Sequence, residues 1–496
     1  MTEALKRRDF MRKVACGTAG MALSSYVHAA AGAQARERAG QPNFVVIFTD
    51  DQGYSDLGCF GSRNIKTPRV DRMAEEGMKF TDFYVAAPVC TPSRAALMTG
   101  CYPRRVGLGG CYLGPNDTAA PVLAPGSTTG LNPSEVTIAE LLKGRGYATA
   151  CIGKWHLGHL PPFLPRRHGF DYYYGIPYSN DMNPCVLMRN EEVIEDPAVQ
   201  ATLTERYTDE AVRSIREKKD GPFFLYLPHT MPHTPLHVSE RFAGVSKAGL
   251  YGDVIECLDW STGRILDTLK ELGLDDNTLV VFTSDNGPWL FQKAHGGCAE
   301  PLRAGKGTTY EGGMRVPCVM RWPGKISAGA VCSELATTMD LLPALARLAG
   351  AEPPSDRIID GKDIWPLMAG QTEAKSPTKA FYYYFMDSLQ AVRSGQWKLM
   401  IERTRKLEFP FRQALKHDVD RPDEVVPEAL YNLKTDVGEQ HNVIEQYPEI
   451  AERLRGLMEQ MRRDIGDQPV SMPELDLVER RSNIVEGRNC RPIGRT

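Results

Sequence analysis

No Cys-x-x-Cys pair occurs in this chain, although it carries 12 cysteines in 496 residues. Their scattered spacing excludes zinc ribbons, thioredoxin-like redox motifs and small disulfide scaffolds. An excess of basic charge is also missing. With a net charge of −3, nothing general favours nucleic acid or an anionic membrane as partner, so any anion must be held by a local cluster of cations. Beyond the N-terminus no apolar run is long enough to span a bilayer, and there is no internal repeat. What is present is an ordinary globular composition, 42% hydrophobic and 24% charged. The length suits one large domain plus a smaller one.

The first residues read as an export signal. Lys6-Arg7-Arg8-Asp9-Phe10-Met11-Arg12-Lys13 resembles the twin-arginine motif. A mildly apolar stretch from Val14 to Val27 follows, and Ala29, Ala30, Ala31, Ala33 and Ala35 offer small-residue cleavage sites. The expectation is a signal peptide over 1–35, passage through the twin-arginine export machinery to the periplasm or medium, and no stable membrane insertion. Substrates of that route cross the membrane folded. Any enzyme that must reach the unfolded chain would therefore act in the cytoplasm.

After a linker at 36–42, Asn43 to Thr49 is a continuous apolar run, the pattern of a strand buried on both faces. Ala148 to Ile152, Pro222 to Leu227 and Thr278 to Thr283 repeat it, with helical patterns at Ser134 to Lys143 and Tyr251 to Leu272. Alternating strands and helices predict an α/β fold, a mixed or parallel sheet flanked by helices, over a catalytic domain at 41–375. From 376 to 470 the pattern changes to a smaller α+β domain. Phe381 to Phe385 is a strand candidate, Gln390 to Ser394 and Trp397 to Ile401 read as a hairpin turning at Gly395, Ala429 to Leu433 as a strand, and Tyr447 to Arg463 as an amphipathic helix. Residues 471–496 read as an irregular tail.

Each of the four runs ends in polar chemistry. The first ends at Asp50 and Asp51, the second is followed by Lys154 and His156, the third by His229 and His233, and the fourth by Asp285 and Asn286. Open α/β sheets bind ligands beyond the carboxyl ends of their strands, so these segments converge on one rim. Asp50, Asp51, Asp285 and Asn286 offer hard oxygens that suit calcium or magnesium. Cys90 in Cys90-Thr91-Pro92-Ser93-Arg94 precedes a run of helical pattern, with Thr91 or Pro92 opening the helix. A helix N-terminus there favours an anion, and Arg94 lies one turn on. Lys154 and His156 alternate on an extended segment and so face the same way. Lys306 sits in the glycine-rich stretch Gly305 to Gly313, which allows close approach to a ligand.

From Asn43 to Ile326 these landmarks resemble the type I, formylglycine-dependent sulfatase family and its arylsulfatase A-like branch. The matching segments are Phe48 to Gly53, Cys90 to Arg94, Gly153 to Gly158, Gly175-Ile176-Pro177-Tyr178-Ser179, Asp285-Asn286-Gly287-Pro288 and Gly305 to Gly313. Ala391-Val392-Arg393 and Tyr431-Asn432-Leu433 match more weakly. The resemblance implies an alkaline-phosphatase-like fold. It implies that a cytoplasmic maturase oxidises Cys90 to formylglycine, whose hydrate is the nucleophile and forms a sulfo-enzyme intermediate. Asp50, Asp51, Asp285, Asn286 and the modified Cys90 hold one divalent cation, calcium before magnesium. Arg94 stabilises the hydrate. Lys154, His156, Ser179 and Lys306 contact hydrate, sulfate or leaving oxygen, as does a histidine after the third run, His233 being favoured over His229. In this scheme Asp285 takes the proton of the attacking oxygen, Lys306 or His233 protonates the leaving group, and His156 deprotonates the second hydroxyl. The implied substrate is a sulfated carbohydrate or aryl sulfate. Leu108 to Asn132, Asn180 to Glu195 and Pro288 to Glu300 are the rim loops expected, with the small domain, to set specificity. The rival readings are a phosphonate monoester or phosphodiester hydrolase on the same fold and an inactive sulfated-glycan binder.

Overall fold

A computed structural model describes residues 40–110, 112–113, 119–404 and 425–467. The expected signal segment, most of the linker and the expected tail lie outside the described residues. The main sheet contains β1 (Asn43–Thr49), β2 (Met78–Phe80), β3 (Ala148–Ile152), β4 (Tyr172–Gly175), β5 (Leu187–Arg189), β6 (Glu192–Glu195), β7 (Phe223–Pro228), β8 (Thr278–Ser284), β9 (Cys318–Arg321) and β10 (Ala330–Cys332). Their spatial order is β10-β2-β9-β8-β1-β7-β3-β4-β5-β6. The centre, β8-β1-β7-β3-β4, is parallel. Antiparallel pairs β8–β9, β9–β2, β4–β5 and β5–β6 flank it. The four apolar runs are thus adjacent central strands. The outer strands are too short for periodicity to reveal them.

Every residue of β1 is buried, and its two faces meet two different cores. Phe44, Val46 and Phe48 pack with α2 (Cys90–Thr99), α3 (Ile138–Gly144) and α6 (Leu341–Leu348). Val45 and Ile47 pack with α1 (Pro68–Glu75), α4 (Leu203–Lys218) and α5 (Gly249–Glu271). Side chains alternate across a strand, so a continuous apolar run is what two helical layers require.

The second sheet is antiparallel, β11 (Phe381–Phe385), β12 (Ser388–Ser394), β13 (Trp397–Met400) and β14 (Ala429–Asn432) in that order, with α7 (Pro448–Ile465) against it. Its core of Val392, Leu399, Leu454 and Met458 is continuous with Tyr84, Ala96, Tyr310 and Met314 of the main body. Gly395, at φ 58°, turns the hairpin where expected.

Most element boundaries shift by one or two residues from the sequence reading, and two helix starts differ for identifiable reasons. α3 begins at Ile138 rather than Ser134, because Thr137 caps it: its hydroxyl accepts the Glu140 N–H and the Glu140 carboxylate accepts the Thr137 N–H. α2 opens at Cys90 itself, after extended Val89, rather than at Thr91 or Pro92.

Strand register levels the site. Thr49 pairs with Ser284 and Phe48 with Pro228, so Asp50 and Asp285 leave the sheet side by side. Gly153, just past β3, has φ 134°, and a Cβ there would lie 1.8 Å from the Pro228 carbonyl oxygen. No side chain fits between these strand ends. Gly153→Ala is expected to lower the denaturant midpoint by the equivalent of about 2 kcal/mol or more, measured by urea unfolding; an unchanged midpoint would contradict the packing described.

Candidate active site

The carboxyl ends of the central strands deliver a cluster of charges that water barely reaches. The side chains of Asp50, Arg94, Lys154 and Asp285 are fully buried. Lys154 Nζ lies 2.5 Å from Asp50 Oδ2 and donates to Ser179 Oγ at 3.1 Å. Arg94 holds Asp285 Oδ2 with Nε at 3.1 Å and Nη2 at 2.7 Å, and Nη2 is also 3.2 Å from Asp50 Oδ2. Lys306 Nζ donates to Asp51 Oδ2 at 2.7 Å. Asn286 Nδ2 donates to Asp51 Oδ1 at 2.7 Å, and the Asp51 N–H donates to Asp285 Oδ1 at 3.1 Å.

Cys90 sits among these groups at the start of α2. Its Sγ is 3.4 Å from Asp50 Oδ1 and 3.7 Å from Lys306 Nζ. Ligand atoms of Asp50, Asp51, Cys90 and His233 all lie within 4.8 Å of one another. Segments far apart in sequence therefore bring together all the predicted oxygen ligands, Cys90, Arg94, Lys154, Ser179, His233 and Lys306.

The two histidines after β7 separate cleanly. His233 Nε2 is 3.6 Å from Asp51 Oδ2 and its Nδ1 is 2.6 Å from the Thr234 carbonyl oxygen. The Nδ1–H must donate to that carbonyl, which leaves Nε2 facing the cluster. His229 instead places Nε2 3.2 Å from Ser261 Oγ, and its ring packs by Tyr207. It braces α5 against the sheet and takes no part in the cluster.

His156 needs a correction. The segment is not a regular extended one, because His156 has φ 57°. Its Nε2 is 2.8 Å from the Leu123 carbonyl oxygen, so Nε2 carries the proton and Nδ1 a lone pair. Nδ1 is buried with no hydrogen-bond partner among the described residues. Burial, then the positive Lys154 nearby, push this imidazole well below its ordinary pKa and keep it neutral.

Burial and neighbouring charges pull the carboxyls apart. Burial alone would raise Asp50, but Lys154 and Arg94 outweigh it and hold the group below the usual carboxylate range. Burial, then the Asp50 charge, push Asp285 up to about 6 against the pull of Arg94. Burial raises Asp51 despite Lys306. The Cys90 thiol is pushed well up by burial and by Asp50. An unmodified thiol here is a poor thiolate nucleophile.

Two contacts went unseen in the sequence. Asn180 Oδ1 lies 3.1 Å from His233 Nδ1; its place directly after Ser179 was the only signal. Trp289 packs on both His233 and Lys306, although its loop was expected at the rim.

This arrangement, a cysteine ringed by buried cations and hard carboxylates, has the donor chemistry to fit a metal ion, and its cations could hold an anion. Comparison with known proteins agrees. The Sulfatase family profile matches residues 42–351, and the profile for the C-terminal part of N-sulphoglucosamine sulphohydrolase matches 305–464. The chain belongs to the sulfatase family. It is 40% identical to arylsulfatase A of Homo sapiens over 445 residues, 81% of this chain and 83% of the relative. It is 41% identical to N-acetylgalactosamine-6-sulfatase of Rattus norvegicus, covering 75% of this chain and 74% of the relative. The crystal structure of Ps i-CgsB in complex with k-i-k-neocarrahexaose superposes with a TM-score of 0.73 at 30% identity, over 88% of this chain and 99% of that one. The chain is accordingly a sulfuric ester hydrolase.

Removing one partner of a buried ion pair strands the other charge, at a cost of about 3–5 kcal/mol. Asp285→Asn is expected to destabilise the fold toward that order, because Arg94 loses the charged oxygen that accepts from both Nε and Nη2 and keeps only the longer contact to Asp50, whereas Cys90→Ala is expected to cost about 1 kcal/mol or less. Urea unfolding of both variants checks this, and equal losses would contradict the assigned pairing.

Proposed function

We propose that this sulfatase hydrolyses sulfate monoesters of a carbohydrate, using Cys90 oxidised to formylglycine and one divalent cation. The reading rests on a single observation: Cys90 Sγ stands 3.4 Å from Asp50 Oδ1 and 3.7 Å from Lys306 Nζ inside a buried cluster of cations and carboxylates. N-acetylgalactosamine-6-sulfatase is a relative, and Ps i-CgsB is a structural neighbour solved with a neocarrahexaose; both favour a sugar over a simple aryl leaving group. The phosphonate monoester or phosphodiester alternative has no comparable support, since relatives near 40% identity are named sulfatases.

The donor set fits a cation. Asn286 Oδ1 is buried with no hydrogen-bond partner among the described residues, next to the carboxylates of Asp50, Asp51 and Asp285. Hard oxygens in this number suit calcium, with magnesium second. Asp50, Asp51, Asp285 and Asn286 would hold the ion, with the modified Cys90 side chain beside them. Bound there, the ion supplies positive charge for sulfuryl oxygens and lowers the pKa of a neighbouring hydroxyl. Formylglycine supplies, as its hydrate, two hydroxyls on one carbon, so that one can attack sulfur and the other can later expel sulfate.

The chain's own residues then divide the work. Arg94, fixed by Asp285 and by the Lys154 carbonyl oxygen at 3.0 Å, orients residue 90 and neutralises negative charge on it. Lys154 and Ser179 form one wall for the sulfate oxygens, and Lys306 and His233 the other. These are prepositioned donors of the kind that stabilise charge developing in the transition state. Asp285 takes up the proton of the attacking hydroxyl. Lys306, or His233 after protonation at Nε2, gives a proton to the departing oxygen. The Nδ1 lone pair of His156 accepts the proton released when sulfate is expelled. We assign 41–375 to the catalytic unit and 376–470 to the smaller unit. We also read the twin-arginine segment as directing a cytoplasmically matured protein out of the cell.

Protein coexpressed with a formylglycine-generating enzyme is expected to give a Cys90 peptide lighter by about 18 Da. Cys90→Ala is expected to lower sulfate release by a thousandfold or more, on the order seen when a covalent nucleophile is lost. Full activity from protein in which residue 90 is an unmodified thiol would refute the proposal. A chelator should abolish turnover, and added calcium should restore it. Undiminished turnover in metal-free protein would remove the cation from the account.

A further inference from the structure

We infer that Trp289 is a specificity-determining residue: its indole is the platform on which the organic half of the sulfate ester rests. The inference rests on the sulfatase reading and adds to it the direction from which substrate enters.

The burial of the site's side chains is graded. Asp50, Arg94 and Lys154 are fully enclosed, Asp51 is 2% exposed, His233 4% and Lys306 11%. Lys154 is the floor and Lys306 the lip. A sulfate group seated against Cys90 is expected to direct its ester oxygen, and the carbon skeleton beyond it, toward Lys306, the most exposed of these groups among the described residues.

Trp289 stands on that side. Lys306 Nζ is 4.7 Å from its ring centre, and its ring lies 5.4 Å from that of His233, inclined by 49°. His233 is buried, whereas Lys306 and Trp289 both keep partial exposure. The indole thus lies against the two sulfate-facing residues at the level where the site meets solvent. The indole is held from behind. The Lys306 N–H donates to the Pro288 carbonyl oxygen at 2.9 Å, and a Cβ on Gly305 would lie 2.3 Å from that same oxygen. The 288–289 backbone is therefore packed directly on the loop that carries Lys306, so the ring keeps its place relative to the charge.

An indole at a site mouth offers a flat apolar face to a ring with its C–H bonds turned toward it, and a single rigid plane costs little entropy to use. A pyranose leaving group, apolar on one face and hydroxylated at its edge, matches that surface. Inorganic sulfate, which has no organic half, would occupy the buried cations without touching Trp289.

That difference makes the test. Wild-type, Trp289→Ala and Trp289→Phe proteins would be compared on N-acetylgalactosamine 6-sulfate and 4-nitrophenyl sulfate, with inorganic sulfate as competitive inhibitor. For the substrate that wild type prefers, Trp289→Ala is expected to raise KM about tenfold, the scale of losing one aromatic stacking contact. The change in kcat should be much smaller, Trp289→Phe should recover most of the loss, and the sulfate inhibition constant should stay within about twofold. An unchanged KM in Trp289→Ala would overturn the platform and leave the sulfatase reading standing. A sulfate inhibition constant that weakens in step with KM would also overturn it, because the ring would then act only by holding Lys306 and His233. A matured wild type that releases sulfate from neither ester would remove the sulfatase reading and the platform together.

Discussion

Three carboxylates, Asp50, Asp51 and Asp285, and two cations, Arg94 and Lys154, are shut away from water at the ends of adjacent strands, with a third cation, Lys306, closing over them at the edge of solvent. Ions removed from water are costly unless each finds a partner in good geometry. Here the count balances, and each cation has a carboxylate within 2.7 Å or closer. Much of the surrounding architecture serves that balance. The parallel register of β1, β7 and β8 sets the acids side by side, α2 brings Arg94 in from one face, and Gly153 lets Lys154 pass between strand ends. A site balanced without ligand gains a single positive charge when a divalent cation and a monoanionic sulfate ester bind together, a charge that an ionised hydroxyl on residue 90 would offset. This is the electrostatic condition for the chemistry proposed.

The second sheet takes part through one loop. Lys398 of β13 is fully buried, 3.0 Å from Glu311 Oε1 and 2.8 Å from Glu439 Oε1. The Glu311 N–H donates to Glu439 Oε2 at 2.7 Å, and Tyr383 OH donates to Glu311 Oε1 at 2.9 Å. Burial would raise the Glu311 carboxyl, but Lys398 and Arg315 bring it down to about 2. Glu311 lies within the glycine-rich stretch Gly305 to Gly313, so this buried network anchors from behind the loop that presents Lys306. The smaller sheet is thus part of the scaffold of the site. The ion pairs of Asp82 with Arg315 and Arg393 sew the same seam.

Much of this was legible in the amino-acid sequence, for identifiable reasons. A strand buried on both faces must be apolar throughout, so β1, β3, β7 and β8 announced themselves, and the polar residues directly after them marked the rim. β2, β5 and β10 were silent because three residues carry no period. The helix starts at Ile138, four residues after the Ser134 that the apolar pattern suggests, because the capping pair Thr137 and Glu140 overrides that pattern. At the site, oxygen ligands and Lys306 sat in compact, recognisable segments. His233 could not be separated from His229 locally, since only tertiary packing sends one to Asp51 and the other to Ser261. His156 was placed near the cluster by an argument from alternation that its positive φ does not respect. Trp289 lay in a segment expected at the rim, but its contact with His233 and Lys306 is decided by tertiary packing alone.

The central claim is that Cys90, once matured, shares one buried chamber with a cation on Asp50, Asp51, Asp285 and Asn286 and with sulfate on the lysines. A crystal structure of the matured protein grown with calcium and inorganic sulfate tests it most directly. The account requires an aldehyde or its hydrate at position 90, ion density bounded by those four side chains, and sulfate density between Lys154 and Lys306. Ion density elsewhere, with Lys306 still closed on Asp51 and sulfate absent from the cluster, would contradict it.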